Sequence, residues 1–365
     1  MGSPSSCGAV ALAALLAACW VPAEEPKAVA SSQAEPVGTP VTELDPRIWP
    51  MLQTEDGALW FGSNGAGVFR YDGERLVRFD EDDGLVGSQV RDLQQHGNGD
   101  VLIATHTGVT RFDGRRLTPV PIEEPEAGDG LALDPEDTWL VLGSGTRGPG
   151  RYDGHRLVAV ELTGSPVQEA FGRRHPSASY APNGVYSIFM DRRGHLWFGT
   201  GSVGLCRYDG RTLDWLYEEQ LTVTPGGGAF GIRSIHEDQS GRFWLSNTRQ
   251  RYEVEAEGRV EDGFRRLVLE KHPGLPGAME GPDTNLGYIS WVAEAADGVL
   301  WMAVGNQGVW RYDGESLAKH DLAGGAYVAQ VLLDDEGRVW ASTVEDGVYV
   351  FDGAGFAPFV PFESE

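Results

Sequence analysis

The chain has 365 residues, of which 54 are Asp or Glu and 29 are Lys or Arg, so its formal net charge is −25 at pH 7. This balance excludes nucleic-acid binding through a strongly basic surface, because such binding depends on many Lys and Arg contacts to phosphate. The 50 Gly and 11 Trp residues favour short strands joined by tight turns over a helical bundle.

An apolar segment close to the amino terminus predicts export. Residues 9–21 are too few for a membrane-spanning helix, which needs ~20 residues, but they match the core of a secretory signal. They contain Leu16-Ala17-Ala18-Cys19, which resembles the bacterial lipoprotein box, whose cysteine accepts diacylglycerol. We therefore expect residues 1–19 to be a lipoprotein-type signal with Cys19 as the lipidation site. Residues 1–18 contain no Lys or Arg, so a plain secretory signal or a misplaced start codon remains the alternative.

The segment after the signal predicts a flexible tether, because residues 20–46 are rich in Ala, Pro, Glu and Ser and show no apolar period. Of the three cysteines only Cys206 lies beyond the signal, so no internal disulfide is expected in the mature protein. We interpret Cys206 as a small buried apolar residue of a strand. The predicted location is the bacterial cell envelope, periplasmic or outer-membrane, with membrane contact through the lipid anchor alone.

Residues 47–365 contain seven copies of one repeat, of which the copy at 185–210 is the clearest. Alignment on its Trp places one residue of each copy at a common position: Trp60, Ile103, Leu140, Trp197, Trp244, Trp301 and Trp340. An aromatic-Asp-Gly triplet recurs in step with this position: Tyr71-Asp72-Gly73, Phe112-Asp113-Gly114, Tyr152-Asp153-Gly154, Tyr208-Asp209-Gly210, Tyr312-Asp313-Gly314 and Phe351-Asp352-Gly353. The fifth copy keeps only Tyr252-Glu253.

Each copy predicts four strands, since short apolar segments alternate with turns and Asp-Gly favours a tight hairpin. Four-stranded units at a period of ~40–45 residues are typical of propeller blades. We therefore predict an all-β fold, a seven-bladed β-propeller with four antiparallel strands per blade. The recurrent Trp would fill the space between blades. The seventh copy has its own four strands, and residues 41–44 are able to add to an edge.

The repeat at 185–210 resembles the two-component regulator propeller repeat, through Val-x-x-Ile-x-x-Asp, Gly-x-Leu-Trp-Phe-Gly-Thr and Gly-Leu-x-Arg-Tyr-Asp-Gly. Members of that family commonly form the periplasmic sensor part of hybrid histidine kinases, and others are stand-alone secreted or lipid-anchored proteins. The resemblance implies a sensor or scaffold that binds a ligand or an envelope protein. Because the sequence ends directly after the seventh copy, we expect any signalling role to need a separate partner.

The regular repeat is broken by three long inter-blade connections, at 162–184, 217–230 and 268–288, which we expect on one face of the ring. Long loops in compact repeat proteins commonly carry function. The candidate ligand-binding residues lie in these connections or in the first strand of the fifth blade: Arg173, Arg174, His175, Tyr180, Arg233, His236, His272 and Tyr288. Basic residues gathered in one sector would suit an acidic or carboxylate ligand. The alternative is that these loops are variable and their charges only solvated.

The sequence contains no recognisable catalytic or metal-binding motif. Its eight His residues lack the spacing of a zinc site, no Cys pair is available, and no Gly-x-Ser-x-Gly is present. We therefore predict a binding protein without a cofactor or a metal. Two alternatives stay open. One is a metal-dependent propeller enzyme of the streptogramin-lyase type, with His236, Glu237 and His272 as the nearest candidates, and the other is a purely structural envelope protein.

Overall fold

The computed structural model describes residues 38–126, 130–143, 148–163, 165, 167–169, 173, 184–217, 221, 231–255, 258–261, 264–276 and 288–362. Residues 36–365 form one compact unit. Its described residues build seven sheets that follow one another along the chain as the blades of a β-propeller. The predicted all-β, seven-bladed fold is confirmed.

The first three blades contain thirteen strands. Blade one has β1 (Thr39–Val41), β2 (Ile48–Gln53), β3 (Leu59–Ser63), β4 (Val68–Tyr71) and β5 (Leu76–Phe79). Blade two has β6 (Val90–Gln95), β7 (Val101–Thr105), β8 (Val109–Phe112) and β9 (Leu117–Val120). Blade three has β10 (Ile122–Glu123), β11 (Thr138–Leu140), β12 (Gly150–Tyr152) and β13 (Leu157–Ala159).

The other four blades contain eighteen strands. Blade four has β14 (Val185–Met190), β15 (Leu196–Thr200), β16 (Leu205–Tyr208), β17 (Leu213–Leu216), β21 (Arg259–Glu261) and β22 (Phe264–Arg266). Blade five has β18 (Ile235–Glu237), β19 (Phe243–Leu245), β20 (Gln250–Val254) and β23 (Leu269–Pro273). Blade six has β24 (Trp291–Glu294), β25 (Leu300–Ala303), β26 (Val309–Tyr312) and β27 (Leu317–His320). Blade seven has β28 (Val328–Leu333), β29 (Val339–Thr343), β30 (Val348–Phe351) and β31 (Phe356–Pro358). Short 3₁₀ turns lie at Glu81–Asp83 and Ala323–Gly325.

The second strand of each blade presents one large side chain to the next blade. Trp197 stands opposite Arg207 in the strand register, and Trp60 stands opposite Arg70. In blades two and three the residues opposite the corresponding Arg are Leu102 and Trp139. The alignment on Ile103 and Leu140 is therefore wrong by one residue, and those two side chains pack toward the preceding blade instead. Both lie in continuous apolar runs. Because apolar and polar residues do not alternate there, the sequence does not show which face of the strand each side chain occupies.

Buried Asp–Trp hydrogen bonds fix three of these Trp side chains. The indole Nε1–H of Trp197 donates to Asp191 Oδ2 at 2.9 Å. Equivalent bonds join Trp244 to Asp238 at 3.0 Å and Trp340 to Asp334 at 2.8 Å. These three Asp–Trp pairs therefore orient neighbouring blades, and their polar atoms are used within the fold.

Side chains rather than an exchanged strand close the ring between blades seven and one. The Gln330 amide accepts from Met51 N at 2.7 Å and donates to Met51 O at 3.0 Å. Blade seven supplies all four of its own strands. An N-terminal strand does add to an edge, because β1 pairs with the outer strand of blade one. The first strand of the described residues thus begins at Thr39, within the residues 20–46 predicted as tether.

Blade five contains an inserted hairpin, which changes where the predicted connection at 268–288 begins. The hairpin of β21 and β22 is inserted after the third strand, and β22 pairs with the outer strand of blade four. Strand β23 then returns as the outer strand of blade five. The predicted connection at 268–288 is therefore wrong at its start, because Leu269–Pro273 belongs to the blade.

Blade three has a different inner edge from the other blades. Its sheet ends at β11, and none of the described residues 130–137 forms a strand before it. The Asp92 carboxylate of blade two accepts a hydrogen bond from Val141 N at 2.8 Å and one from the Gln94 amide at 3.0 Å. The Asp92 side chain thus accepts a backbone N–H of blade three at the edge where that sheet has no further strand.

Candidate functional site

A cavity of about 720 Å³ lies at the centre of the ring. Its walls are the first strands of six blades, together with Val141 of blade three. Small-molecule sites are usually concave spaces of ~300–1,000 Å³. The channel is therefore large enough to enclose a small ligand.

The strand register defines two ends of this channel. Trp49, Arg91 and Tyr186 each follow the first paired residue of their strand, and Arg233 holds the same position in blade five. We call these four residues the arginine collar. His236 lies three residues further along its strand, which at ~3.3 Å per residue places it about 10 Å deeper. We call His236 with Glu294 of blade six the histidine end.

The inter-blade connections enter the ring at the collar. Isolated bridges join the turn between the second and third strands of one blade to the segment entering the next blade, as at Asn64–Gln89, Asn247–Tyr288 and Gly305–Val328. The first strands all begin here, so the three long connections lead into this end of the channel. The strands that follow the three long connections therefore begin at the arginine collar, while most residues of the connections lie outside the described residues and their placement on one face stays a prediction.

Two arginines in the collar stack on aromatic rings. The Arg91 Cζ lies 5.0 Å from the centroid of the Trp49 ring, and the Arg233 Cζ lies 4.7 Å from that of Tyr186. Such cation–π contacts orient a guanidinium without using its hydrogen-bond donors. Arg91 forms no ion pair within the part of the chain that the structure describes, and its Nε–H and the Trp49 Nε1–H are buried without a hydrogen-bond partner there. Arg91 is therefore a cation at the collar without a counter-ion among the described residues.

The electrostatics of the collar agree with this geometry. Burial lowers the pKa of Arg91, and the positive charge of Arg233 lowers it further. Behind the collar the Tyr288 hydroxyl donates to Gly231 O at 2.7 Å, and burial holds the pKa of Tyr288 well above its usual range. Burial also raises the pKa of Tyr327. These phenols stay neutral at pH 7, so they add no negative charge beside the two arginines.

The histidine end contains a carboxylate, whereas the collar contains arginines. His236 Nε2 lies 3.2 Å from Glu294 Oε2, whose other oxygen accepts from Gln239 N at 3.0 Å. Arg192 Nη2 lies 3.8 Å from the same carboxylate. Burial lowers the pKa of His236, although the Glu294 charge opposes this. A neutral imidazole beside a carboxylate is able to accept a proton. Among the residues described, no group of three or more His, Cys, Asp and Glu is placed to hold a metal.

The predicted site residues do not all come together. Arg233 and His236 share one strand that lines the channel, and Tyr288 lies directly behind Arg233. His272 lies on the outer strand of blade five, three strands and about 14 Å from the strand of His236. There its Nε2 is 3.2 Å from Glu253 Oε2, so His236, Glu237 and His272 do not form one cluster.

The other predicted residues are one exposed arginine and four residues outside the described part of the chain. Arg173 is exposed and pairs with Glu169 at 3.4 Å. The predicted residues Arg174, His175, Tyr180 and Cys19 lie outside the described residues. Several residues that line the channel were not predicted from the loops, among them Trp49, Arg91, Tyr186, Trp291 and Glu294. Alignment of the first strands would have placed Trp49 and Arg91 in the same ring as Arg233.

Comparisons with known proteins agree with the fold. Residues 179–202 match the model of the family described as two component regulator propeller. The extracellular domain of a proposed one component system from B. thetaiotaomicron superposes with a TM-score of 0.58 and 18% identity, covering 86% of this chain and 39% of that chain. This chain thus spans about two fifths of that protein's length. No curated protein is significantly similar to it in sequence.

Two further solved structures share the architecture. A streptogramin B lyase superposes with a TM-score of 0.57 and 14% identity, covering 86% of this chain and 96% of that chain. PorZ, a surface component of the type-IX secretion system of Porphyromonas gingivalis, superposes with a TM-score of 0.57 and 18% identity, covering 87% and 48% of the respective chains. At these identities the likeness shows the fold alone.

Proposed function

We propose that this chain, a seven-bladed propeller containing a two-component regulator propeller repeat, is an exported binding protein with a sensor or scaffold role. Its ligand would occupy the arginine-collar end of the channel, where the three long connections enter the ring. The observation that carries the proposal is the cavity of about 720 Å³ lined by Arg91, a partly buried cation without an ion pair among the described residues. The likeness to extracellular domains of sensor systems supports a role of this kind.

Export and a lipid anchor at Cys19 are part of the same proposal. Among the residues that the structure describes, no helix is long and apolar enough to cross a membrane. An envelope protein, such as a separate kinase, would be the partner that receives the signal.

Closing the channel is expected to abolish ligand binding. Ala329 lines the channel of blade seven at the collar position, directly after Val328, and Ala329→Trp would fill this space. A screen of neutral, cationic and anionic small molecules would use thermal unfolding of the full chain. A ligand at 100 times its Kd should stabilise the wild type by about 2.7 kcal/mol. This gain should disappear in Ala329→Trp.

The matched control is Ala354→Trp, which adds the same side chain to an exposed outer turn. It should respond to the ligand as the wild type does. An equal gain in Ala329→Trp would contradict a site in the channel.

Loss of the anchor should move the protein out of the membrane fraction. In Cys19→Ser the thiol that would carry the lipid is gone, so we expect the chain in the soluble fraction of the envelope. Cys7→Ser is the matched control and should stay with the membrane. Fractionation followed by immunoblotting measures both, and membrane retention of Cys19→Ser would contradict the anchor.

A second candidate function is a lyase-type reaction, favoured by the contact of 3.2 Å between His236 and Glu294 inside the same channel. A neutral imidazole held in this way would act as a general base. The same screen separates the two functions, because an enzyme would consume the compound that stabilises it. A structural envelope protein would give no stabilising compound at all.

A further inference from the structure

We infer that the arginine collar binds the carboxylate of a small monoanion whose apolar body extends down the channel. This inference rests on the proposed function and names the ligand class that the site would take. It follows from the charges, the donors and the walls of the channel.

The charge of Arg91 lacks a counter-ion in the described part of the chain. Arg91 and Arg233 line one cavity, and Arg91 has no ion pair within the described part of the chain. The Asp92 carboxylate attracts Arg91 but already accepts hydrogen bonds from Val141 N and the Gln94 amide. Arg91 is partly buried, and removing a cation from water without a partner costs stability, so an anion entering the collar would be favoured.

The donor geometry selects a carboxylate. A guanidinium presents N–H groups in a planar fork that matches two carboxylate oxygens. Stacking on Trp49 covers one face of the Arg91 guanidinium, and Arg91 is partly buried and lines the channel. A planar carboxylate matches the guanidinium fork of Arg91 better than a spherical anion does.

The walls below the collar select an apolar body. The side chains that line this stretch are mostly apolar: Leu52, Phe189, Trp291, Ala293 and Leu332. Trp291 is 41% exposed although it lies on a first strand, because its ring faces the open channel. At the far end Arg192 and His236 already contact the Glu294 carboxylate, so they do not offer a site for a second negative charge. The ligand is therefore oriented with one carboxylate at the collar and an uncharged end beyond it.

Calorimetric titration of the full chain tests this inference with octanoate, phenylacetate, their neutral amides and inorganic phosphate. We expect both acids to bind at least about 10-fold more tightly than their amides, because the hydrogen bonds are charge-assisted. Inorganic phosphate lacks the apolar body and should bind more weakly than either acid. Arg91→Gln and Arg233→Gln should each weaken acid binding about 10-fold.

Two variants serve as controls. Arg75→Gln removes the same charge from an exposed outer turn and should leave acid binding unchanged. Arg91→Lys keeps the charge but loses the planar fork, so it should bind the acids with intermediate affinity. Thermal unfolding would check that each variant is folded.

Equal affinity for acids and amides, or unchanged acid binding in both Gln variants, would overturn the inference. So would the failure of both acids to bind the wild-type chain, or phosphate binding as tight as that of the acids. The proposed function survives these outcomes if another compound binds the wild type and loses its effect in Ala329→Trp. It fails separately if binding persists in that variant.

Discussion

Asp214→Ala should lower the free energy of unfolding by about 3–5 kcal/mol, the cost of breaking a buried ion pair. Asp214 and Arg207 each have side chains only 1% exposed, and Arg207 Nη2 lies 3.2 Å from Asp214 Oδ2. The other oxygen, Oδ1, accepts from Arg265 Nε of the inserted hairpin at 2.7 Å. Removing the carboxylate leaves the Arg207 cation buried without its counter-ion. Denaturant titration of the full chain measures the change.

The double variant Arg207→Met with Asp214→Leu is the control for this prediction. It removes both charges and keeps similar volume, so it should recover most of the lost stability. A loss below about 1 kcal/mol in Asp214→Ala, the size typical of a surface pair, would contradict the assignment. Acid binding at the collar should not change in the double variant, since the pair lies among the outer strands of blade four.

Trp244→Ala should also destabilise the protein by about 3–5 kcal/mol, as large-to-small changes of buried Trp do. Trp244 is 0% exposed and packs in the cluster between blades five and six. Its indole also donates to the buried Asp238 carboxylate at 3.0 Å, which would lose this partner. Denaturant titration again provides the measurement.

Trp291→Ala is the matched comparison, since Trp291 lies in the open channel and not between blades. We expect less than about 1 kcal/mol of destabilisation, as for other substitutions outside the core. Its effect should instead be weaker ligand binding. Equal destabilisation by the two variants would show that the assignment of one Trp to the core and the other to the channel is wrong.

The ring was predictable because its signals are local. The Asp-Gly turns and the Trp that recurs every few dozen residues show the number of blades and align most of the repeats. The alignment of the repeats was wrong by one residue at Ile103 and Leu140. Strands such as Val101–Thr105 are buried on both faces, so apolar and polar residues do not alternate along them and do not show which face each side chain occupies. The position of His272 was mispredicted because the hairpin at 259–266 displaces the outer strand of blade five.

The candidate site was predictable only in part, because it is assembled from separate blades. Trp49, Arg91, Tyr186 and Arg233 are more than 40 residues apart from one neighbour to the next and belong to no shared motif. They meet only when each first strand is placed in register around the axis. Arg233 was predicted because it adjoins a long connection. Arg91 adjoins none of the three and was not predicted.

Hydrogen exchange with and without the best compound from the thermal screen tests the central claim most directly. We predict that the ligand slows exchange in the first strands around the channel: 48–53, 90–95, 185–190, 235–237 and 328–333. Exchange in outer strands such as Leu76–Phe79 and Leu317–His320 should not change. Protection confined to outer strands, with none in the first strands, would contradict a binding site at the arginine collar.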